Sequence, residues 1–588
     1  MNIKLFLILF SYCILLNAQT IPVNRTVNWK QAGHYGAFME PNNNVNFKNF
    51  GGYTDGVTAN DSIFNVLLSN INTGDSTVIY FSNGTYYFNK KINLPENTIL
   101  RGENIDSTIL LFNLLSQNHL IEITGNATND TSYCIADAFK DSICIKLNNT
   151  NLFLAGDFIY IIDNDSSLIT SAWAVKSTGQ ICRIDSISGN TLFLKNAIRR
   201  NFTTAKNTFV RKLKPKKNVG IENLKIIRQD STNTQTDNIH FEYAYNCWVK
   251  CIESINCNFA HIGARYSSNL EISSSYFHDA FDYGGNGKAY GVMLHFGTGE
   301  CLISENHFNH LRHSIILQAG ANGNVFGYNY SRNPFWTGVS LPSNSAGDLV
   351  LHGNYPYTNL FEGNTVQNIV IDDSHGINGN YNTFFRNRAE LYGFFMNSGT
   401  PTNNQNIVGN EITNTTFPLG LYSLSGTGHF EFGNNHKGSI VPNGTNNLPE
   451  ASLYLLNIPT YYQNNSAWPP IGIPNNLSEY NIEMEEIFLQ GKNSLCSNEI
   501  IPGIDVKNNV GRFILYPNPC SNFLKIELIN QKKDNISEVV IYSSNGKIVY
   551  NSKETDIINV QNLSAGVYLV RIVFDNNTSV SQRFIKLL

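Results

Sequence analysis

Charge is what this chain has least of: charged side chains make up 15% of its 588 residues, and the net charge is −4. Nucleic acid, whose phosphates call for a basic face, is therefore not an expected partner. Long apolar runs are scarce too. The run Leu5 to Leu16, broken at Ser11, Tyr12 and Cys13, follows Lys4 and precedes Asn17-Ala18-Gln19. It is too short to span a bilayer comfortably and reads as a secretory signal over residues 1–19, outside the fold. No later stretch reaches the roughly 18 consecutive apolar residues of a spanning helix. The ten cysteines include no CxxC pair. With Cys13 lost in the signal, nine remain, and Cys247, Cys251, Cys257 and Cys301 fall in strand-like runs. Buried free thiols are the first expectation, one or two disulfides the second, a metal site the third.

What is plentiful is Asn, Ser, Thr, Gly and aromatics, a composition suited to strands joined by many turns. A repeat organises it. Alternating apolar residues lead to an Asn in Leu302-Ile303-Ser304-Glu305-Asn306, Val325-Phe326-Gly327-Tyr328-Asn329, Leu360-Phe361-Glu362-Gly363-Asn364, Thr383-Phe384-Phe385-Arg386-Asn387, Asn406-Ile407-Val408-Gly409-Asn410 and Phe430-Glu431-Phe432-Gly433-Asn434. The Asn steps are 23, 35, 23, 23 and 24. A period near 23 fits one turn of a parallel β-helix, with the Asn residues stacked as a structural ladder inside a turn. Leucine-rich solenoids share the period, but their Leu spacing is missing.

The run Gly51-Gly52-Tyr53-Thr54-Asp55-Gly56-Val57-Thr58-Ala59-Asn60-Asp61-Ser62, a helical stretch to about Leu68, and the strands Thr77–Phe81, Gly84–Phe88, Ile92–Pro95 and Thr98–Glu103 follow in order. This resembles the entry segment of the pectate-lyase-like superfamily. The resemblance implies a right-handed parallel β-helix whose open end is covered by a helix; it specifies the fold and leaves the chemistry open. The expected class is all-β. Its parts are an N-terminal cap and first coils over 20–105, an inserted β subdomain over 106–217 where the period is lost, coils over 218–460, and a cap and linker over 461–510.

From Tyr516-Pro517-Asn518-Pro519, strands alternate around Asn545-Gly546 and Ala565-Gly566 to the end at Arg583-Phe584-Ile585-Lys586-Leu587-Leu588. These signals predict an antiparallel β-sandwich over 511–588. The order of motifs also resembles the C-terminal sorting domain of type IX secretion substrates in Bacteroidetes. That implies export through periplasm and outer membrane, secretion or cell-surface display, and the type IX machinery as a partner.

Two intervals exceed the basal period: Leu270 to Cys301 is 31 residues and Asn329 to Asn364 is 35. The surplus of about 8 and about 12 residues must leave the coil as loops, which in solenoids commonly build the binding face. One loop carries His278, Asp279, Asp282, Tyr283, Lys288 and Tyr290; the other carries Arg332, Phe335, Trp336 and Asp348. Because strand side chains alternate, Ala264, Leu294, Leu317 and Leu351 face inward, while one outer column collects Glu242, Arg265, His295, Gln318, His352, Asp372 or Asp373, and Asn397. Such a column suits a polysaccharide groove.

Three chemistries stay open. A lyase needs a neutral base, here His295 or His352, a cation such as Arg265 or Arg312 for the uronate carboxylate, and a donor such as Tyr290 or Tyr330. A hydrolase needs two carboxyls, with Asp372-Asp373 the first candidate and Asp282 or Asp348 as partner. The run Asp372-Asp373-Ser374-His375-Gly376 resembles polygalacturonases, whose Asp pair and Gly-His-Gly are separate elements; here they are fused and out of order. A glycan-binding or adhesive β-helix would use Trp336, Tyr290 and Phe335 as stacking surfaces. The lyase is placed slightly ahead. His295, His352, Arg265, Asp372 and Asp373 are the catalytic candidates. Glu242, Lys288, Tyr290, Arg312, His313, Gln318, Trp336, His375 and Asn397 are the substrate-binding candidates. Calcium is the one cofactor kept open, no metal ligand is assigned, and a monomer is expected.

Overall fold

The computed structural model describes residues 19–588 apart from 40, 339–344, 397–400, 460–461, 463–466, 493–495, 497–511, 517–519, 530–535, 544–546, 554–556, 575–578 and 587–588. The expected signal at 1–19 thus lies almost wholly outside the described residues. Two compact units divide the chain, the first ending at Glu499 and the second running from Ile500 to Leu588.

The first unit is a right-handed parallel β-helix with three sheets. A coil such as Trp248–Lys250, Glu253–Cys257 and Ala260–Arg265 contributes one strand to each sheet in turn. Sheet one holds twelve parallel strands from Asn43–Asn46 to Phe430–Phe432. Thr365–Ile371 and Arg388–Met396 are long enough to serve sheets two and three together: Thr365 pairs with Tyr330 of sheet two, and Ile369 with Leu349 of sheet three. Inward side chains stack from coil to coil, as Phe326, Phe361 and Phe384 do at ring separations of 5.5 and 4.8 Å. The helix Asp61–Ser69 lays Phe64 against Phe47 and Phe88 and covers apolar side chains of the first coils. Uncovered, that end would offer unpaired strand edges.

The predicted Asn ladder is present. Each Nδ2 of Asn306, Asn329, Asn364, Asn387 and Asn410 donates to the Oδ1 of the next Asn at 2.8–3.0 Å, and all are fully buried. A second ladder, not anticipated, runs through Asn324, Asn359 and Asn382 at 2.9 Å per step and closes on Gln405 at 3.1 Å.

Two boundaries differ from expectation. Thr108–Phe112 and Ile121–Thr124 pair in parallel with Lys225–Arg228 and Ile239–Glu242, so the coil continues past residue 106. The insertion proper is a six-stranded antiparallel sheet from Asn126–Tyr133 to Phe209–Lys214. A bridge between Cys134 and Leu147 joins its first strand to the opposite edge and rounds it into a small barrel. The segment expected as an end cap instead lies along the side of the helix. Ile471, Ile473, Ile482 and Met484 of that segment, with Leu448 and Tyr454 from the stretch expected as coils, pack on Val325, Tyr328, Leu360, Phe385 and Val408, because the outer face of sheet one is apolar here and must be covered. The coils themselves end at the Asn434–His436 and Ser439–Val441 hairpin. Cys251 and Cys496 form a disulfide, while the other seven described cysteines are free, six of them buried.

The named strands of the second unit pair antiparallel, and one isolated parallel bridge joins Cys520 to Lys586. Arg512–Tyr516, Phe523–Ile529 and Ile558–Asn559 form one sheet, and Ile536–Ser543, Ile548–Ser552, Gly566–Phe574 and Ser579–Lys586 form the other. Leu524, Ile526, Val539, Ile541, Val570, Ile572 and Phe584 fill the space between them.

Candidate functional site

The outer column follows from strand register. Glu242 stands beside Arg265 and Arg265 beside His295; Leu294, Leu317, Leu351 and Ile371 then pair in sequence, which sets Gln318, His352 and Asp372 in line. The inward partners Ala264, Leu294, Leu317 and Leu351 have no solvent exposure, so the outward phase of their neighbours is fixed. Asn397 falls outside the described residues.

A cleft of about 610 Å³ opens on this face. Its floor is Arg265, Met293, His295, Gln318 and His352, and its walls come from different parts of the chain. On one side the two long loops lean on each other: Thr337 N donates to Tyr283 O at 3.1 Å, the Tyr283 and Phe335 rings meet at 5.3 Å, and Asn286 and Gly287 reach the cleft. On the other side stand Phe296 and, from the inserted barrel, Trp173. Trp173 was not anticipated.

His352 stands in the cleft beside Asp372. Its Nδ1 lies 2.5 Å from Asp372 Oδ2, which leaves Nε2 for the cleft. Asp372 is itself aimed by Ser374, whose N and Oγ each donate to it at 2.9 Å. His375 packs edge-on to His352 at 4.7 Å, and burial lowers its pKa. Burial among the cleft walls pushes His295 down to about 3, so it is neutral. His313 lies beneath, with Nδ1 donating to Gly347 O at 2.6 Å, and burial holds it far below the ordinary imidazole value.

Two guanidinium groups line the cleft, Arg312 near the dyad and Arg265 three strands away along the column. Arg265 pairs with Glu242 at 3.0 Å. Arg312 donates from Nη1 to Gly284 O at 3.0 Å and lies 4.8 Å over the Trp336 ring. Arg265 Nε, Arg312 Nε and His313 Nε2 are buried without a hydrogen-bond partner, as is Trp336 Nε1. Of these residues, Arg265 and Arg312 line the cleft. Tyr290 lies under Arg312, its ring 5.9 Å from the guanidinium; burial raises its pKa, so it stays protonated.

Other candidates are placed elsewhere. Lys288 is ion-paired to Asp282 on the loop, and Trp336 backs Arg312 without lining the cleft. Asp373 is buried. Asp348 has no exposure, accepts Gln367 N and Asn368 N at 2.8 and 2.5 Å, and is pushed up to about 7 by burial. Neither Asp282 nor Asp348 lines the cleft opposite Asp372.

Beside Glu242, two residues back on the same strand, His240 belongs to a cluster that sequence reasoning missed. His240 Nδ1 and His119 Nδ1 lie 2.7 and 3.3 Å from Asp237 Oδ2, and the two rings stack at 3.9 Å. Burial favours protonation of Asp237, but the adjacent His119 and His240 rings outweigh it and hold its pKa well down. Burial opposes the charge on His240, yet Asp237 and Glu242 raise it to about 9. A Cβ on Gly263 would come within 2.2 Å of Asp237, so glycine there makes room for the carboxylate. These are the one set of metal-ligand type side chains grouped this closely among the described residues. Near-parallel rings at 3.9 Å cannot both aim in-plane lone pairs at one ion, and the nitrogen-rich set is unlike calcium's oxygen shell. The cluster therefore suits a buried ion pair. His240 shares the outward phase of Glu242, a signal that could have found it.

With this geometry in view, comparison with known proteins bears first on the tail. Residues 514–587 match the family described as a secretion system C-terminal sorting domain. The tail is a sorting domain. It directs the chain through type IX secretion to the cell surface or the exterior and implies contact with that machinery. No curated protein matches the chain. Among solved structures, the tailspike protein gp49 from Pseudomonas phage LKA1 is similar at 15% identity and a TM-score of 0.48, over 62% of this chain and 70% of that one. An exopolygalacturonase from Thermotoga maritima is similar at 10% identity and a TM-score of 0.36, over 69% and 94%.

Proposed function

We propose that the protein is an exported polysaccharide lyase that cleaves a uronate-containing glycan by β-elimination. The observation that carries this reading is the contact of His352 with Asp372 beside a cleft that also holds Arg312, with no carboxylate among the described residues that line it. With Nδ1 turned to Asp372 at 2.5 Å, Nε2 is the nitrogen that would take the proton from the carbon beside the uronate carboxylate. Arg312 neutralises that carboxylate and spreads the charge that develops on it. As the new C=C bond forms, the glycosidic C–O bond breaks and its oxygen takes a proton, for which the Tyr290 hydroxyl, neutral and at the cleft, is the candidate donor.

The hydrolase alternative asks Asp372 and a second carboxyl to face each other across a sugar. Asp348 is enclosed and Asp282 is occupied by Lys288, which weighs against it. The test is a pair of variants in the full chain. His352→Ala and Asp372→Asn should both lose turnover on a uronate glycan while still binding it. Asp372→Asn turning over at the wild-type rate would overturn the assignment.

A further inference from the structure

We infer that the inserted barrel supplies a sugar-stacking residue, Trp173, that fixes where a glycan ring rests in the cleft. This deepens the glycan reading above and rests on it.

Trp173 sits on the 3-10 turn Ala172–Ala174, 47% exposed, while its neighbour Ala174 is fully buried. The indole meets Phe296 at 5.9 Å and His375 at 6.3 Å, both at steep angles. Among the described residues no ring stacks parallel on it. A large apolar face left open above a polar floor is poorly placed for stability, and suits the apolar face of a pyranose whose hydroxyls and carboxylate turn toward Gln318 and Arg265.

The turn is held rather than loose. Asn354, on the coil beside the cleft, accepts Thr170 N and Ser171 N at 3.0 and 3.2 Å and donates to Ser171 Oγ at 3.0 Å. At the far end, Asp165 accepts Lys176 N and Thr178 N at 2.9 and 3.2 Å. Gly376, at φ +85°, completes the seat: a Cβ there would come within 2.6 Å of Thr170 Cγ2. Both the coil and the insertion are thus built to hold one exposed tryptophan over His375. A stacking platform held in advance loses little entropy when it binds.

The test uses the full chain with Trp173→Ala and Trp173→Phe, binding of uronate oligosaccharides by calorimetry, and steady-state cleavage. Trp173→Ala should weaken binding and raise KM by about 5- to 10-fold with kcat within about 2-fold, and Trp173→Phe should lie between. Unchanged thermal unfolding of both variants would separate this from damage to the fold. Wild-type affinity in Trp173→Ala would overturn the inference while leaving the lyase intact. Binding without cleavage in the wild type would remove the lyase, with stacking still judged from the affinities. No glycan binding by the wild type would overturn both.

Discussion

Asn364 offers the cleanest test of what holds the coils in register. It is fully buried. Its Nδ2 donates to Phe326 O at 2.9 Å and Asn387 Oδ1 at 2.8 Å, and its Oδ1 accepts Asn329 N at 3.1 Å and Asn329 Nδ2 at 2.9 Å. In Asn364→Ala, Asn329 Nδ2 keeps Ile303 O and Asn387 Oδ1 keeps the Asn364 backbone N–H. The Asn329 N–H and this contact to Phe326 O are lost. Phe326 O keeps its ladder partner, so with one buried donor left unsatisfied at about 1–3 kcal/mol and one further bond lost at about 0.5–1.5, the cost is about 1.5–4.5 kcal/mol. Asn364→Asp is isosteric and should be worse, since an enclosed anion would face two acceptor oxygens. Its carboxyl would be driven toward the neutral form, so that variant should lose stability as pH rises from 4 to 8. All five tryptophans precede residue 499, so urea unfolding followed by their fluorescence reports the β-helix unit alone. Exposed Asn44→Ala is the control and should move stability by no more than about 0.5 kcal/mol. An Asn364→Ala midpoint equal to that control would refute the ladder as a source of stability.

The other predictions concern the sheet-three face. His352→Ala or Asp372→Asn should lower kcat by about 10²- to 10⁴-fold, measured as product per enzyme at saturating glycan. Arg312→Lys keeps the charge but loses the planar group over Trp336 and should cost about tenfold in kcat/KM. Asp237→Asn leaves His240 buried without its counter-charge and should destabilise the protein by about 3–5 kcal/mol near neutral pH. The sign follows from the pair. His240's contribution is present below its unfolded value near 6.5 and lost as pH rises through about 9, while Asp237's is present above about 4 and lost in acid. Wild-type and variant melting curves should therefore converge at both extremes of pH.

Much of this fold was legible because the coil repeats its chemistry. The Asn of the first ladder recurs in one phase, and alternation within each strand assigned the outward column. The second ladder was readable too: Asn324, Asn359 and Asn382 each precede a first-ladder Asn by five residues. What stayed hidden depends on contacts between distant segments. The coil through Thr108–Phe112 and Ile121–Thr124 was lost because the loop between them breaks the spacing. Trp173 reaches the cleft only through Asn354, 181 positions on, and His119 meets Asp237 across 118. The lateral packing of Leu448 to Met484 answers an apolar outer face that periodicity does not distinguish from an inner one.

The central claim is that the cleft around His352 cleaves a uronate glycan by elimination. Its most direct test is to offer the full chain a panel of uronate-containing and neutral polysaccharides, following absorbance in the unsaturated-uronate band together with new reducing ends. The account predicts that both rise together on a uronate glycan and that neither rises with His352→Ala. Reducing ends without the absorbance would contradict it in favour of a hydrolase, and binding with neither signal would make the cleft a glycan-binding site without catalysis.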